Sequence, residues 1–411
     1  MNLPTEFVQP DYLGRTIANI PATAAAMLNI PFNGLPPLQT QLWQPLGNDV
    51  KRVVVLLVDG FGWNLLEKER PFLAPFLARA TVVDKITSIF PSTTVAAMNS
   101  LWTGVGPAQH GMMGLQLLFP EMGTMGQMIH FTPTFAFLPD ALVTGGLEPE
   151  TFIQWPSVAQ QFARANVPTY AFKNQEYLDS ALSIMFGRGV AEDYGVRTLA
   201  DMLTQMRLGL EKHVGESLYQ LAYWPALDIL EHDVGWDGES AAAEMRAVIT
   251  LVQMELLDRL SAAARQNTVF ILTADHGQVV CPPTKAIYLE DHPVLADMLF
   301  LQMAGEARMA YLYAKHGRIE DVIAYINTHL SYAMIAGHSD EALAAGWFGP
   351  QPHTRDTAVR AGDVVVALRE NYIFVTSHEK DDELVQKLLG RHGSMTADEM
   401  IVPWIAMRLD D

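Results

Sequence analysis

Cysteine is nearly absent. Cys281 is the single thiol in 411 residues, which excludes an intrachain disulfide and a Cys-rich zinc site. Long apolar runs are missing as well. No stretch of about 18 apolar residues, the length that spans a bilayer, occurs anywhere in the chain. The opening segment, MNLPTEFVQPDYLGRTIANIPATAAAMLNI, lacks the basic and apolar regions of a signal peptide. The expectation is a soluble, cytoplasmic protein with no membrane partner. Positive charge is scarce: 27 Lys and Arg face 46 Asp and Glu, a formal net charge of −19. Duplex nucleic acid needs clustered Lys and Arg, so it is set aside as a partner, as is anionic lipid. What is present is a 49% hydrophobic composition with only 18% charged residues, which excludes general disorder. The length suits one large α/β domain with an insertion, or two domains. Surplus carboxylates suit a protein that places several of them on metal ions.

Residues 1–50 read as an irregular lead-in packed on the core, with a short helix near Ala22–Leu28. Arg52–Val58 (RVVVLLV) is a continuous β-branched apolar run, the pattern of a strand buried on both faces in a parallel sheet. Leu218–Trp224 and Thr268–Leu272 have the same character. Ser240–Arg265 has helical periodicity, and Pro156–Ala165 followed by Val167–Phe172 reads as a helix–strand unit. This alternation predicts an α/β protein, a three-layer αβα sandwich around a mostly parallel sheet. The core is expected over residues 51–280. From 281 to 390 the texture changes to a smaller inserted α+β cap. There, Arg308–Ala314 reads as a strand, Ile319–Leu330 as a helix and Glu383–Leu389 as another helix. Val364–Leu368 and Tyr372–Thr376 are expected to form a hairpin. Residues 391–411 return to the core.

Four segments put polar groups at strand or helix ends, outside the carboxyl edge of the sheet where open α/β folds bind ligands. Asp59 directly follows RVVVLLV and can hold a cation, although Asp-Gly also ends strands as a plain turn. Ser92-Thr93-Thr94 lies at the start of a helix, where free N–H groups and the dipole favour an alkoxide or a phosphate; a simple N-cap is the commoner use. Asp228 and His232 are one helical turn apart, as in paired metal ligands, or form a solvated acidic turn. Asp275 and His276 stand side by side beyond a strand, natural ligands for a borderline cation. His392-Gly393 could add another imidazole or be a surface turn.

Taken together and in this order, the segments resemble the alkaline phosphatase superfamily, and most closely its type I phosphodiesterase/nucleotide pyrophosphatase family. That family has a strand ending in Asp-Gly, a Thr nucleophile nine residues before a Thr-Gly, then Asp-x-x-x-His, Asp-His-Gly and a final His-Gly. Counting back nine from Thr103-Gly104 gives Thr94. The stretch from Thr94 to His110-Gly111 also resembles the family's segment up to its His-Gly turn. The resemblance covers roughly residues 50–280 and the end of the chain.

The resemblance implies a metal-dependent phosphoester hydrolase acting through a phosphothreonine on Thr94, with a small phosphoester or nucleotide as substrate. It implies two divalent ions. Asp59, Thr94, Asp275 and His276 would bind one; Asp228, His232 and His392 would bind the other. Mixed Asp and His ligands without thiolate suit zinc, with manganese or iron as alternatives. The family often carries an Asn soon after the His-Gly turn as a phosphate donor. Leu115 stands near that position here, so Gln116, Asn99, Lys173 and Arg188 are the candidate substrate-side donors. A phosphomonoesterase, phosphonate hydrolase or phosphomutase of the same superfamily, or a silent metal-binding relative, is the alternative function.

Overall fold

The computed structural model describes residues 3–136, 138–375 and 387–410. The RVVVLLV run is strand β1 (Arg52–Val58), buried at every residue. A strand without polar alternation needs cover on both faces, which a parallel sheet between helices provides. β1 is central, in parallel register with β5 (Leu218–Trp224) on one side and β6 (Thr268–Thr273) on the other. Outside β5 run β3 (Thr169–Asn174) and β4 (Glu192–Val196), also parallel. Outside β6 lie β7 (Ile401–Arg408) and β2 (Val82–Thr87), giving the order β2-β7-β6-β1-β5-β3-β4. Of the seven, β7 alone runs antiparallel to both of its neighbours.

Two groups of helices pack on this sheet. Trp63–Leu77, Leu199–Lys212 and Glu239–Leu251 form one layer, and Ile20–Met27, Thr94–Thr103, Val158–Arg164 and Ala181–Phe186 form the other. The result is the expected three-layer α/β architecture. The lead-in adds Ile17, Ile20 and Leu42, all fully buried, to the main core. The expected single helix over Ser240–Arg265 is broken. Regular helix ends at Leu251, a π-helical turn follows over Val252–Leu257, and Ser261 caps a new short helix by accepting from Ala264 N at 3.1 Å.

A second seven-stranded sheet is antiparallel. It orders Met334–His338, Val364–Leu368, Met309–Leu312, Ala304–Glu306, Gln116–Phe119, Thr124–Gln127 and Thr132–Pro133. The helix expected at Ile319–Leu330 is there, over Ile319–His329. The sequence reading confined the smaller unit to residues 281–390, yet this sheet also takes three strands from residues 116–133. The hairpin expected between Val364–Leu368 and Tyr372–Thr376 does not form. Ile373–Val375 instead pairs in parallel with Ala286–Tyr288. The cause is Arg308, whose guanidinium takes the carbonyls of Glu370 and Tyr372 at 2.9 and 2.8 Å, while Phe374 N bonds to Ala307 O. The turn is thereby drawn away from the preceding strand. Residues 376–386, which hold the end of that strand and most of the helix expected over Glu383–Leu389, lie outside the described residues.

Candidate active site

The site lies at the carboxyl ends of the parallel strands. Helix α1 (Thr94–Thr103) opens there and is closed by Gly104, whose φ of 72° is the left-handed cap that glycine adopts freely. The three hydroxyl residues at its start go three different ways. Ser92 Oγ donates to Ser394 O at 2.7 Å and accepts from Gly393 N at 3.1 Å. Thr93 is the N-cap residue but makes no side-chain cap hydrogen bond. Thr94 Oγ1 lies 3.1 Å from His276 Nε2 and 3.4 Å from Asp59 Oδ2.

Around Thr94 the carboxylates are crowded. Asp275 Oδ1 accepts from the amides of Gly60 (3.3 Å) and His276 (3.0 Å). Its Oδ2, like Asp59 Oδ1, is buried with no hydrogen-bond partner among the described residues. His276 Nε2 is 3.4 Å from that Asp275 oxygen and 3.5 Å from Asp59 Oδ1. Burial, then the charges of Asp275 and Asp228, push the Asp59 carboxyl well above the usual range. One turn apart on helix α2 (Ala226–Val234), Asp228 Oδ2 and His232 Nε2 are 3.3 Å apart, and His392 Nε2 reaches within 3.9 Å of Asp228 Oδ1. Burial works to raise the Asp228 pKa, but His232, His392 and His276 outweigh it and hold the carboxyl below its ordinary value.

The ring orientations test whether a metal fits. His232 Nδ1 bonds to Gly390 O at 2.7 Å, His392 Nδ1 to Ser92 O at 2.9 Å and His276 Nδ1 to Gly277 O at 3.1 Å. A carbonyl cannot donate, so each Nδ1 carries a proton and each Nε2 is turned toward the carboxylates. That backbone-fixed tautomer is how metal-ligating histidines are oriented. Asp228, His232 and His392 offer ligand atoms within 4.8 Å of one another, and so do Asp59, Asp228 and His276. Orphaned carboxylate oxygens and aligned imidazoles make a donor set that a divalent cation fits.

Several neighbours had no signal of their own in the sequence. Tyr223, on β5, donates its hydroxyl to Asp59 Oδ2, and Gln278, just past Asp-His-Gly, donates to Asp228 Oδ1. Both flank motifs that were legible. Glu306 comes from the second sheet, and burial pushes its carboxyl up to about 8. The substrate-side candidates are placed as follows. Asn99 donates to Val95 O at 2.8 Å, one turn back in its helix. Lys173 pairs with Asp193 at 2.7 Å. Arg188 donates to the carbonyls of Ile153 and Trp155, both at 2.6 Å. Gln116 sits in the second sheet, in register between Gly305 and Gln127, and is half-buried.

Carboxylates and imidazoles thus converge on the Thr94 hydroxyl at the start of helix α1. Residues 53–395 match the family model described as type I phosphodiesterase/nucleotide pyrophosphatase, and the chain belongs to that family. It is therefore a phosphoester hydrolase. Among solved structures, murine ectonucleotide pyrophosphatase/phosphodiesterase 5 aligns with a TM-score of 0.63 at 19% identity, over 86% of this chain and 87% of that one. The human protein of the same name aligns at 0.64 with 18% identity, over 86% and 87%. Phosphonoacetate hydrolase from Sinorhizobium meliloti 1021 aligns at 0.62 with 18% identity, over 87% and 90%. At these identities the likeness is one of fold. No curated protein matches in sequence.

Proposed function

We propose that the chain is a metal-dependent phosphodiesterase/nucleotide pyrophosphatase that forms a phosphothreonine on Thr94. The observation that carries the proposal is the setting of Thr94 Oγ1, at the opening of α1 and within 3.4 Å of both His276 and Asp59. Asp59, Thr94, Asp275 and His276 would hold one divalent ion, and Asp228, His232 and His392 the other, zinc in this proposal. When bound, such ions supply positive charge to the phosphoryl oxygens and ease deprotonation of the attacking hydroxyl and water. The chain's own part is positional. Thr94 Oγ1 attacks phosphorus in line, its proton facing Asp59 Oδ2. The P–O bond to the leaving group breaks, and that oxygen leaves with the electron pair. The free N–H groups of α1 orient and stabilise the phosphoryl oxygens. Water then cleaves the phosphothreonine.

A murine neighbour is an inactive Thr-to-Ala form in complex with AMP, which supports both a threonine nucleophile and a nucleotide substrate. Asn99, Lys173 and Arg188 are held by Val95, by Asp193 and by the carbonyls of Ile153 and Trp155, which leaves Gln116 the freest of the four candidate substrate contacts. The second sheet would act as a cap that shapes the leaving-group pocket, and the cellular site would be the cytoplasm. A monoesterase or phosphonate hydrolase is the second reading, favoured by Leu115 at the place of the family's Asn. In the test, bis-p-nitrophenyl phosphate and p-nitrophenyl phosphate separate the two readings. Thr94→Ala should lower kcat at least ~10³-fold, as loss of a nucleophile does, with metal content retained. Near-parental kcat in Thr94→Ala would sink the phosphothreonine.

A further inference from the structure

The lead-in precedes residues 53–395, the part of the chain that matches the family model, yet it is tied to three pieces of the site. Val8 N donates to Met395 O at 2.7 Å, and Phe7 forms a β-bridge with Thr396, both just past His392. Glu6 pairs with Arg369 at 2.8 Å, and Gln9 Nε2 donates to Ala345 O at 3.1 Å. Thr87 N, at the end of β2 and just before the nucleophile segment, donates to Arg15 O at 2.7 Å. In the middle of this strap stands Tyr12, only 5% exposed. Its hydroxyl accepts from Phe90 N at 3.3 Å and donates to Trp347 O at 3.1 Å. Its own carbonyl is anchored by Asn19 Nδ2 at 2.9 Å. The Phe90 ring packs on the same stretch, 5.8 Å from Trp347 and 5.0 Å from Phe348 between centroids. Phe90 is fully buried, and among the described residues its amide has no other acceptor. A buried amide without an acceptor is costly, so the chain holds its path here while the Tyr12 hydroxyl is in place.

We propose that Tyr12 is a positioning residue for the nucleophile: its hydroxyl fixes the Phe90 amide, and through residues 90–93 it sets where Thr94 Oγ1 stands relative to phosphorus. The proposal rests on the reading of Thr94 as nucleophile. It gives the lead-in a part in catalysis without contact to substrate. In Tyr12→Phe the ring still fills its place, but the Phe90 amide loses its acceptor and the segment is free to shift. In-line attack tolerates little displacement of the attacking oxygen, whereas an interaction needed only in the transition state leaves substrate binding untouched.

The experiment compares Tyr12→Phe with Tyr313→Phe, using bis-p-nitrophenyl phosphate as substrate and inorganic phosphate as competitive inhibitor, at a temperature well below either Tm. Tyr313 is the control because its buried hydroxyl also donates to a main-chain carbonyl, that of Arg360 at 3.2 Å, rather than bonding to the nucleophile segment. Tyr12→Phe should lower kcat about 10- to 100-fold, the effect of a small misplacement of a reacting group, while KM and the inhibition constant for phosphate stay within about twofold. Metal content should stay at the parental value. Tyr313→Phe should keep the parental kcat, even with a Tm as low as that of Tyr12→Phe. Parental kcat in Tyr12→Phe would overturn the proposal. So would a fall in kcat matched by Tyr313→Phe, or one accompanied by loss of metal or a parallel rise in KM. Thr94→Ala separates the two ideas: if it is active, the nucleophile reading fails, and if it is inactive while Tyr12→Phe keeps the parental kcat, only Tyr12 is misassigned.

Discussion

Main-chain carbonyls set the tautomer of every imidazole at the site, and a fourth histidine shows the opposite arrangement. His110 Nδ1 accepts from Met112 N at 3.1 Å, so its proton sits on Nε2, 3.0 Å from Ser100 Oγ. Its ring is a fully satisfied core group, and burial lowers its pKa to about 3. An unfolded histidine titrates near 6.5, so between about pH 6.5 and 3 the unfolded chain takes up a proton that the folded chain refuses. The stability tied to His110 is thus complete above pH 6.5 and falls as the pH is lowered. Urea midpoints measured from pH 7 to 4.5 should decline less steeply in His110→Gln than in the parent; equal slopes would refute this assignment. Local pattern does not separate His110 from His392, because both sit in His-Gly pairs; only the order of the family's motifs pointed to His392 as a ligand. Only tertiary contacts separate a ring bonded within its own turn from one aimed at carboxylates. Asp59, Asp228 and Asp275 were legible because each follows a recognisable apolar strand. Tyr223, Gln278 and Glu306 were not, since their roles depend on what lies opposite them.

Elements with a single strong period were readable, and those defined by partners were not. β1, β5 and β6 follow from apolar runs with nothing polar to turn outward. The turn at residues 369–371 looked like a hairpin because local pattern cannot register a guanidinium arriving from Arg308. That arginine is fully buried and forms a bidentate pair with buried Glu399, at 2.8 Å on both arms. Glu399 also accepts from the amides of Ser394 and Thr396, which ties the second sheet to the segment carrying His392. Removing one partner of such a pair strands a buried charge. Glu399→Ala should therefore cost about 3–5 kcal/mol in urea unfolding, and a loss below 1 kcal/mol would show the link to be dispensable.

At the scale of the whole molecule, three buried aspartates gather at the carboxyl ends of the parallel strands. Phe90 and Val95, beside the nucleophile segment, share a core cluster with Tyr311, Trp347 and Met395, so the site is bounded by both units. Asp59, Asp228 and Asp275 are buried together, and cations binding only the folded state would stabilise it by mass action. Chelation should lower Tm, and added divalent ion should restore it in a concentration-dependent way. A Tm indifferent to both treatments would argue against the metal site. The position of β7 has a bearing on biosynthesis. This strand, the last of the seven in chain order, is inserted between β2 and β6 rather than added at an edge. The other six strands all precede residue 274, so the large sheet cannot close until residues 401–408 have left the ribosome. Until then β2 and β6 each present an open strand edge, a template for unwanted pairing. Nascent chains stalled before residue 401 are expected to depend on chaperones or to aggregate, and none of them can become a finished enzyme.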